Sequence, residues 1–305
     1  MKNKVLFSGA ILLLFITFAC KNDEHEKKEY RNFTIGDIKT LSTLFDLLPD
    51  PEPGDWLFSQ QKTGQSFATY QIEKPVLPLR KGYIYVLPIG CFDALERKLI
   101  ADVSKYISVF YNCAVITRPP VSDSIVPSKY RREGMLLNEQ LHARYLMDYL
   151  GKSMPDNMIA YTAITNKDLY PRESWNFVFG MANLKSRLGV SSFYRYTDIG
   201  LDTINYNFTY RRLIKTSTHE LGHMLGLKHC LKYECLMNGS MSMEEADAKP
   251  LSLCPECLAK VCAVTRQNPA KRYLRLHKYY KSKAFNFETV FTEMAYQKLM
   301  LINDD

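Results

Sequence analysis

The sequence predicts an α/β domain with a mixed, mostly parallel β-sheet. Strand-like apolar runs alternate with amphipathic helical segments through the middle of the chain, as in layered α/β domains. The chain has 305 residues, of which 46% are hydrophobic, so it can bury a substantial core. Charged residues make up an ordinary 24%, which argues against wholesale disorder.

The chain divides into four segments. They are a signal segment at 1–20, a tether and loop-rich lead-in at 21–80, a core domain at 81–262 and a basic extension at 263–305.

The first twenty residues predict an export signal. Lys2 and Lys4 precede an apolar run, 5–19, that is too short to span a bilayer comfortably. The run stops at Cys20 and wholly polar residues follow, so the segment resembles a bacterial lipoprotein signal with Cys20 as the lipidated residue. We therefore expect a lipid-anchored protein of the cell envelope, at the outer membrane. The alternative is an uncleaved signal anchor in which Cys20 is an ordinary cysteine.

Secondary structure is predicted in chain order. Strands are expected at 83–88, 113–117, 158–165, 176–180 and 190–196, and helices at 92–111, 131–150 and 209–227, after a short helix that ends near residue 45. The long helices are predicted from apolar residues that recur at helical spacing. The last strands before the helix at 209–227 are expected to include an exposed edge, where an extended peptide can add one strand to the sheet.

The segment from His219 to His229 predicts a catalytic zinc site. His219 and His223 are four residues apart, so both imidazoles face one point if the segment is helical. Gly226 can end that helix in a left-handed conformation, after which the chain returns His229 as a third ligand. Three protein ligands leave a fourth position for water, and Glu220 lies where it can act on that water as a general base. The full HExxHxxGxxH spacing makes an accidental match improbable.

Four cysteines beside this motif predict a second, closed metal site. Cys230 follows the last histidine, Cys235 comes five residues later, and Cys254 and Cys257 form a CxxC pair. Four thiolates in two pairs are a ligand set of structural zinc. Two disulfides are the alternative, which export would favour. We prefer zinc because a CxxC pair commonly chelates metal when a second close pair is available.

The remaining cysteines and histidines match no ligand spacing. Cys91, Cys113 and Cys262 are expected to be buried apolar residues, with one intramolecular pair as the alternative. His25, His142 and His277 are expected to be structural or solvent-facing.

These motifs together resemble the archaemetzincins, a branch of the metzincin metallopeptidases. The resemblance lies in HExxHxxGxxHC at 219–230, CxM at 235–237 and CxxC at 254–257, and it extends upstream to 164–170 and 176–180. It implies a metzincin-like layered fold with a catalytic domain over 81–262 and, at its C-terminal end, a subdomain in which the four cysteines bind zinc. It also implies that Met237 forms the methionine turn beneath the catalytic zinc. From the residues alone Met237 is a core methionine, and Met241 and Met243 compete for that position.

The sequence thus predicts a zinc-dependent peptidase with two zinc ions per chain, one catalytic and one structural. A peptide or protein substrate and, through the lipid anchor, a membrane are the expected partners. The competing interpretation is a non-catalytic, zinc-stabilised binding protein of the cell envelope. Glu220 favours the enzyme, because a structural zinc has no use for a general base. Within the enzyme class, the sequence does not distinguish an endopeptidase from an aminopeptidase that acts on short peptides.

The stretch at 258–287 carries eight Lys or Arg residues and no acidic residue, with tyrosines interleaved. Such a stretch can bind nucleic acid or anionic lipid. We expect instead a solvated helical face and no nucleic-acid partner, because an exported protein seldom meets nucleic acid.

Overall fold

The computed structural model describes residues 33–59, 64–79, 81–197 and 200–301. Its strands are β1 (Tyr83–Ile89), β2 (Val115–Thr117), β3 (Arg131–Glu133), β4 (Glu139–His142), β5 (Met158–Thr165), β6 (Asp168–Tyr170), β7 (Gly180–Asn183) and β8 (Leu188–Ser192). Its helices are α1 (Ile35–Ser42), α2 (Phe67–Glu73), α3 (Ala94–Tyr111), α4 (Ala143–Gly151), α5 (Tyr206–Met224), α6 (Met243–Ala248), α7 (Pro255–Thr265), α8 (Pro269–Ser282) and α9 (Asn286–Leu301).

A five-stranded sheet in the order β2-β1-β5-β8-β7 forms the centre of the fold. The pairs β1–β2, β1–β5 and β5–β8 are parallel, whereas β7 runs antiparallel to β8 at one edge. The predicted mixed, mostly parallel sheet is therefore confirmed, and so is the exposed edge before the histidine helix. A second sheet in the order β3-β4-β6 has three short strands.

Both faces of the central sheet are covered. Ile84 and Val86 of β1 pack into the cluster that contains α3 and α5, whereas Tyr85 and Leu87 pack into the cluster that contains α4. This division follows from the two-residue period of a strand. Sheets covered on both faces have continuous apolar strands, and all eight residues of β5 are buried.

Helix α3 has the ends that its sequence predicts. Asp93 caps its N-terminus in a capping box with Glu96, and Asn112 ends it in the left-handed conformation at φ 52°. The helix predicted over 92–111 is thus confirmed.

The helix predicted over 131–150 is wrong in its first half. Residues 131–142 form the antiparallel hairpin β3–β4, in which the Gly134 N–H donates to the Asn138 carbonyl oxygen and Leu137 has φ 55°. Met135, Leu136 and Leu137 are exposed at the hairpin tip. Leu136 and Leu137, two of the apolar residues that suggested a helical period, therefore lie in a turn, and the helix is limited to α4.

Two strand predictions are displaced. The strand expected at 176–180 begins only at Gly180, and the strand expected at 190–196 spans Leu188–Ser192. Residues Tyr194–Tyr196 form a 3₁₀ turn instead.

The basic stretch near the C-terminus is a solvated helical face on one side only, where Lys271, Lys278 and Lys281 are exposed. Arg272 is 2% exposed and its guanidinium lies 4.3 Å from the ring centroid of Phe110. Tyr273 and Tyr280 are buried as well, and the Tyr280 hydroxyl lies 2.7 Å from that of Tyr106 in α3. Helix α8 thus packs into the main core, with its other side toward solvent.

None of the helices in the described ranges combines the length and the apolar character that crossing a bilayer requires. Cys20 and the rest of the signal segment, like His25, lie outside the described residues.

Candidate active site

Helix α5 carries the first two histidines of the motif. It ends at Met224, and Gly226 follows with φ 89°, a left-handed conformation that a β-carbon would penalise. The Leu227 N–H then donates to the Gly222 carbonyl oxygen, which turns the chain back toward the helix. This turn brings His229 to the side of His219 and His223, as the spacing predicts.

The three imidazole rings converge through their Nε2 atoms. The Nε2 atom of His223 lies 3.1 Å from that of His219 and 3.2 Å from that of His229. Nitrogens that surround a tetrahedral zinc at about 2.0–2.1 Å stand about 3.3 Å apart. The rings thus fit a zinc ion, and all three ligand atoms lie within 4.8 Å of one another.

Backbone carbonyls set the orientation of two of the rings. The Nδ1 atom of His219 lies 2.8 Å from the Leu236 carbonyl oxygen, and the Nδ1 atom of His223 lies 2.7 Å from the Leu227 carbonyl oxygen. A carbonyl oxygen only accepts, so each Nδ1 carries the proton and each Nε2 lone pair is available to a metal. Burial lowers the pKa of His223 to about 4 and holds the pKa of His219 well below its ordinary value. Both rings are therefore neutral, as metal ligands must be.

Glu220 is buried on the same wall as the histidine rings. Burial raises the pKa of its carboxyl group to about 8, and the positive charge of Lys249 opposes that rise. The side chain lies against the edge strand: a β-carbon on Gly180 would stand 2.8 Å from Cγ of Glu220. The carboxyl group is thus held between the metal-binding rings and the open edge of the sheet.

Met237 packs against the histidine helix. It is fully buried, and a β-carbon on Gly222 would stand only 2.5 Å from its Sδ atom. A side chain at position 222 would therefore displace the end of this methionine from the helix. Met241, one of the competing methionines, is 59% exposed. Met243 begins α6 and is partly buried.

The four cysteines come together in a second cluster. The Sγ atoms of Cys230, Cys235, Cys254 and Cys257 lie within 4.8 Å of one another, and all four residues are buried. The Cys230 and Cys254 Sγ atoms are 3.7 Å apart, far beyond a disulfide bond of about 2.05 Å. Thiolates around a tetrahedral zinc at about 2.3 Å stand about 3.8 Å apart, so the cluster fits zinc. Its four sulfurs are free, which contradicts the alternative of two disulfides.

The remaining cysteines and histidines, for which no ligand role was predicted, differ in their burial and contacts. Cys113 and Cys262 are buried and unpaired, whereas Cys91 is exposed, contrary to expectation. His142 caps the N-terminus of α4 through Nδ1, and Nδ1 of His277 lies near the Thr289 carbonyl oxygen, so both have local structural contacts.

The histidine rings and Glu220 open into a cavity of about 740 Å³. Several residues that line it were not singled out from the sequence: Trp56, Tyr196, Lys215 and Lys249. Lys215 precedes His219 by four residues, so helical spacing alone was a usable signal for it. No sequence pattern indicated Trp56, because it belongs to the lead-in segment and contacts His229 from a distant part of the chain. Gly180 and Ala182 of the edge strand also line the cavity.

Comparison with known proteins agrees with this site. The sequence pattern of peptidase family M54 matches residues 130–263. Archaemetzincin-2 of Rattus norvegicus is 32% identical over 272 residues, which cover 78% of this chain and 75% of that protein. The chain belongs to the archaemetzincin family. The human archaemetzincin-2 is 34% identical over 74% of this chain and is covered over 72% of its own length.

The family membership confirms the predicted class of protein. This archaemetzincin is a zinc-dependent peptidase of family M54, and the alternative of a non-catalytic binding protein is set aside. Among solved structures, archaemetzincin from Archaeoglobus fulgidus matches 58% of this chain and 99% of its own, with 29% identity and a TM-score of 0.46.

Proposed function

We propose that Glu220 is the general base of peptide hydrolysis at a zinc ion held by His219, His223 and His229. The main support for this proposal is that the buried Glu220 carboxyl group lines the same cavity as the three converging Nε2 atoms. Zinc bound there would acidify a water molecule and polarise the scissile carbonyl.

Glu220 moves the proton in this scheme. Its carboxylate accepts a proton from the attacking water and passes the same proton to the departing amine. Burial raises the affinity of this carboxylate for a proton, which strengthens it as the base that takes the proton from water. The carboxyl group lines the cavity, where both the water and the amine can reach it.

The edge strand β7 provides a place for an extended substrate. The Ser192 N–H donates to the Phe179 carbonyl oxygen, so by the alternation of an antiparallel ladder the backbone groups of Gly180 and Ala182 point away from β8. These two residues line the cavity beside Glu220. A peptide that pairs with β7 would bring its backbone to the zinc and the base together.

The Glu220→Gln variant tests the mechanism. We expect it to retain its zinc and to lose hydrolysis of a peptide library, because the amide keeps the shape of the side chain but cannot accept the proton. Glu133→Gln, at an exposed residue that does not line the cavity, is the matched control and should keep full activity. Full peptidase activity of Glu220→Gln would refute the mechanism.

We further propose that the cysteine cluster holds a structural zinc ion. It offers four protein ligands and no open position, which is the closed arrangement of structural sites. Metal analysis of the protein purified from residue 21 onward should give about two zinc ions per chain. A value of one would reject the zinc at the cysteines.

We also propose that Cys20 carries a lipid that anchors the protein in the cell envelope, at the outer membrane. The support is the sequence at 1–28, a basic start, a short apolar run, Cys20 and a polar tether. Growth with a fatty-acid probe followed by fractionation should label the wild type in the outer membrane and leave Cys20→Ala unlabelled. An unlabelled wild type would reject the anchor.

A further inference from the structure

Two lysine side chains stand in the cavity wall beyond Glu220, and the proposed reaction uses neither. Lys215 and Lys249 both line the cavity that contains the three histidine rings. Lys215 is 7% exposed. Lysine is seldom buried to that degree unless an anion pairs with it. Within the described residues, the hydrogen bonds of both ammonium groups go to carbonyl oxygens and a hydroxyl rather than to a carboxylate.

The ammonium group of Lys215 has unused hydrogen-bonding capacity. Its Nζ atom donates to the carbonyl oxygens of Ala246 and Asp247, at 3.2 and 2.5 Å. An ammonium group has three N–H donors, so one donor remains for a further partner. Both acceptor residues line the cavity as well, which places the ammonium group at its surface.

Lys249 repeats this arrangement closer to Glu220. Its Nζ atom donates to the Asn238 carbonyl oxygen at 3.1 Å and to Oγ of Ser240 at 3.2 Å. One N–H donor again remains.

Two of the nearby acidic groups, Asp247 and Glu245, have other partners. The carboxylate of Asp247 binds the guanidinium of Arg212, with Nε 2.9 Å from Oδ1. The carboxylate of Glu245 accepts the backbone N–H of Trp56 at 2.7 Å. Burial lowers the pKa of Lys215 and of Lys249 to about 8. Glu220 also attracts Lys249, and Asp247 attracts Lys215, but for both lysines the loss of water around the ammonium group outweighs this attraction.

The distance from the metal site suits a substrate. Lys215 precedes His219 by one helical turn on the same face of α5, about 6 Å along the axis. An extended peptide advances about 3.3 Å per residue. A negative charge within two residues of the cleaved bond can thus reach this wall.

We propose that Lys215 and Lys249 form a carboxylate-binding wall that selects substrates with a negative charge within two residues of the cleaved bond. The proposal rests on the peptidase mechanism above. The negative charge can come from an acidic side chain or from a free C-terminal carboxylate, because both present two carboxylate oxygens to the remaining N–H donors of Lys215 and Lys249.

Two pairs of quenched fluorescent peptides separate these sources. In the first pair, a long peptide with an amidated C-terminus carries either Glu or Gln next to the cleaved bond. In the second pair, a peptide without charged side chains ends two residues beyond the cleaved bond, and its C-terminus is either a free carboxylate or an amide. We expect the charged member of one pair to be cleaved with a kcat/KM roughly tenfold higher or more, as a charge-assisted hydrogen bond allows.

Lys215→Met should remove this preference, so that kcat/KM of the charged peptide falls to that of its uncharged partner. Lys260→Met is the matched control, because Lys260 is also a buried lysine that donates to a backbone carbonyl, that of Gln65, and it does not line the cavity. The control should keep the preference. Equal cleavage within both pairs by the wild type, or an unchanged preference in Lys215→Met, would overturn the proposal.

Binding provides a readout that is independent of hydrolysis. The zinc-loaded Glu220→Gln variant should bind the charged peptide of one of the two pairs roughly tenfold more tightly than its uncharged partner in fluorescence anisotropy. The double variant Glu220→Gln, Lys215→Met should bind both members of that pair equally. If the wild type cleaved none of the four peptides, the mechanism would fail, and this binding comparison would still decide the carboxylate-binding wall.

Discussion

The indole ring of Trp56 lies edge-on to the imidazole ring of His229, with the ring centroids 4.6 Å apart. Trp56 is held there by its backbone N–H, which donates to the carboxylate of Glu245 in α6. The lead-in segment therefore forms part of the active site, because it restrains the third histidine after that residue has left helix α5.

Trp56→Ala should weaken zinc retention at the histidine site. An edge-on aromatic pair contributes about 0.5–1.5 kcal/mol beyond its buried area, so we expect a roughly two- to tenfold loss of zinc affinity. Competition with a chelator, followed by metal analysis, measures it. Phe58→Ala removes an exposed aromatic ring from the same turn and should have no effect. Unchanged zinc retention in Trp56→Ala would show that the ring contact does not position His229.

Ala182→Pro should raise KM for long peptides. The proline removes a backbone N–H that points away from β8, and with it one hydrogen bond to a substrate strand, while the pairing of β7 with β8 is kept. Ala182→Val keeps the N–H and is the control. Steady-state kinetics on one extended peptide compares the three proteins. A similar KM in all of them would argue against strand addition at β7.

Cys254→Ser should lose one zinc ion per chain and much of its thermal stability, because a closed zinc site contributes folding free energy directly. Cys113→Ser, at a buried cysteine outside the cluster, should keep both metal ions. Metal analysis and a thermal melt of each variant test this. A full metal content in Cys254→Ser would mean that the cluster does not hold zinc.

Lys215→Met should stabilise the fold at pH 7, by an amount that falls as the pH rises. The pKa of Lys215 is lowered from 10.5 to about 8 in the folded chain, so between those values the unfolded chain binds more protons. The wild type therefore gains stability relative to the variant as the pH rises from 8 toward 10.5. Urea unfolding of both proteins from about pH 7 to 9.5 gives the difference. A gap that is constant across this range would show that Lys215 is not destabilised by burial.

Short sequence patterns predicted those helices and strands whose conformation depends on neighbouring residues in the chain. The histidine helix and its glycine end follow from spacing within one short motif, and β1 and β5 follow from continuous apolar runs. Helical spacing failed at 131–150, because Leu136 and Leu137 continue the apolar pattern through a hairpin tip whose turn is closed between Gly134 and Asn138. Trp56 could not be found from the sequence, because its hydrogen bond joins residues 189 positions apart.

The two metal sites are joined by a single peptide bond, between His229 and Cys230. The short stretch that follows also contains the Leu236 carbonyl oxygen that orients His219 and the methionine that supports the helix. The Cys230 N–H donates to the carbonyl oxygen of that methionine, Met237, which closes the stretch on itself. Oxidation of these thiols to disulfides before metal binds would displace the backbone that orients His219 and the methionine that supports helix α5. We therefore expect the enzyme to be active only when the four thiols bind metal before they are oxidised.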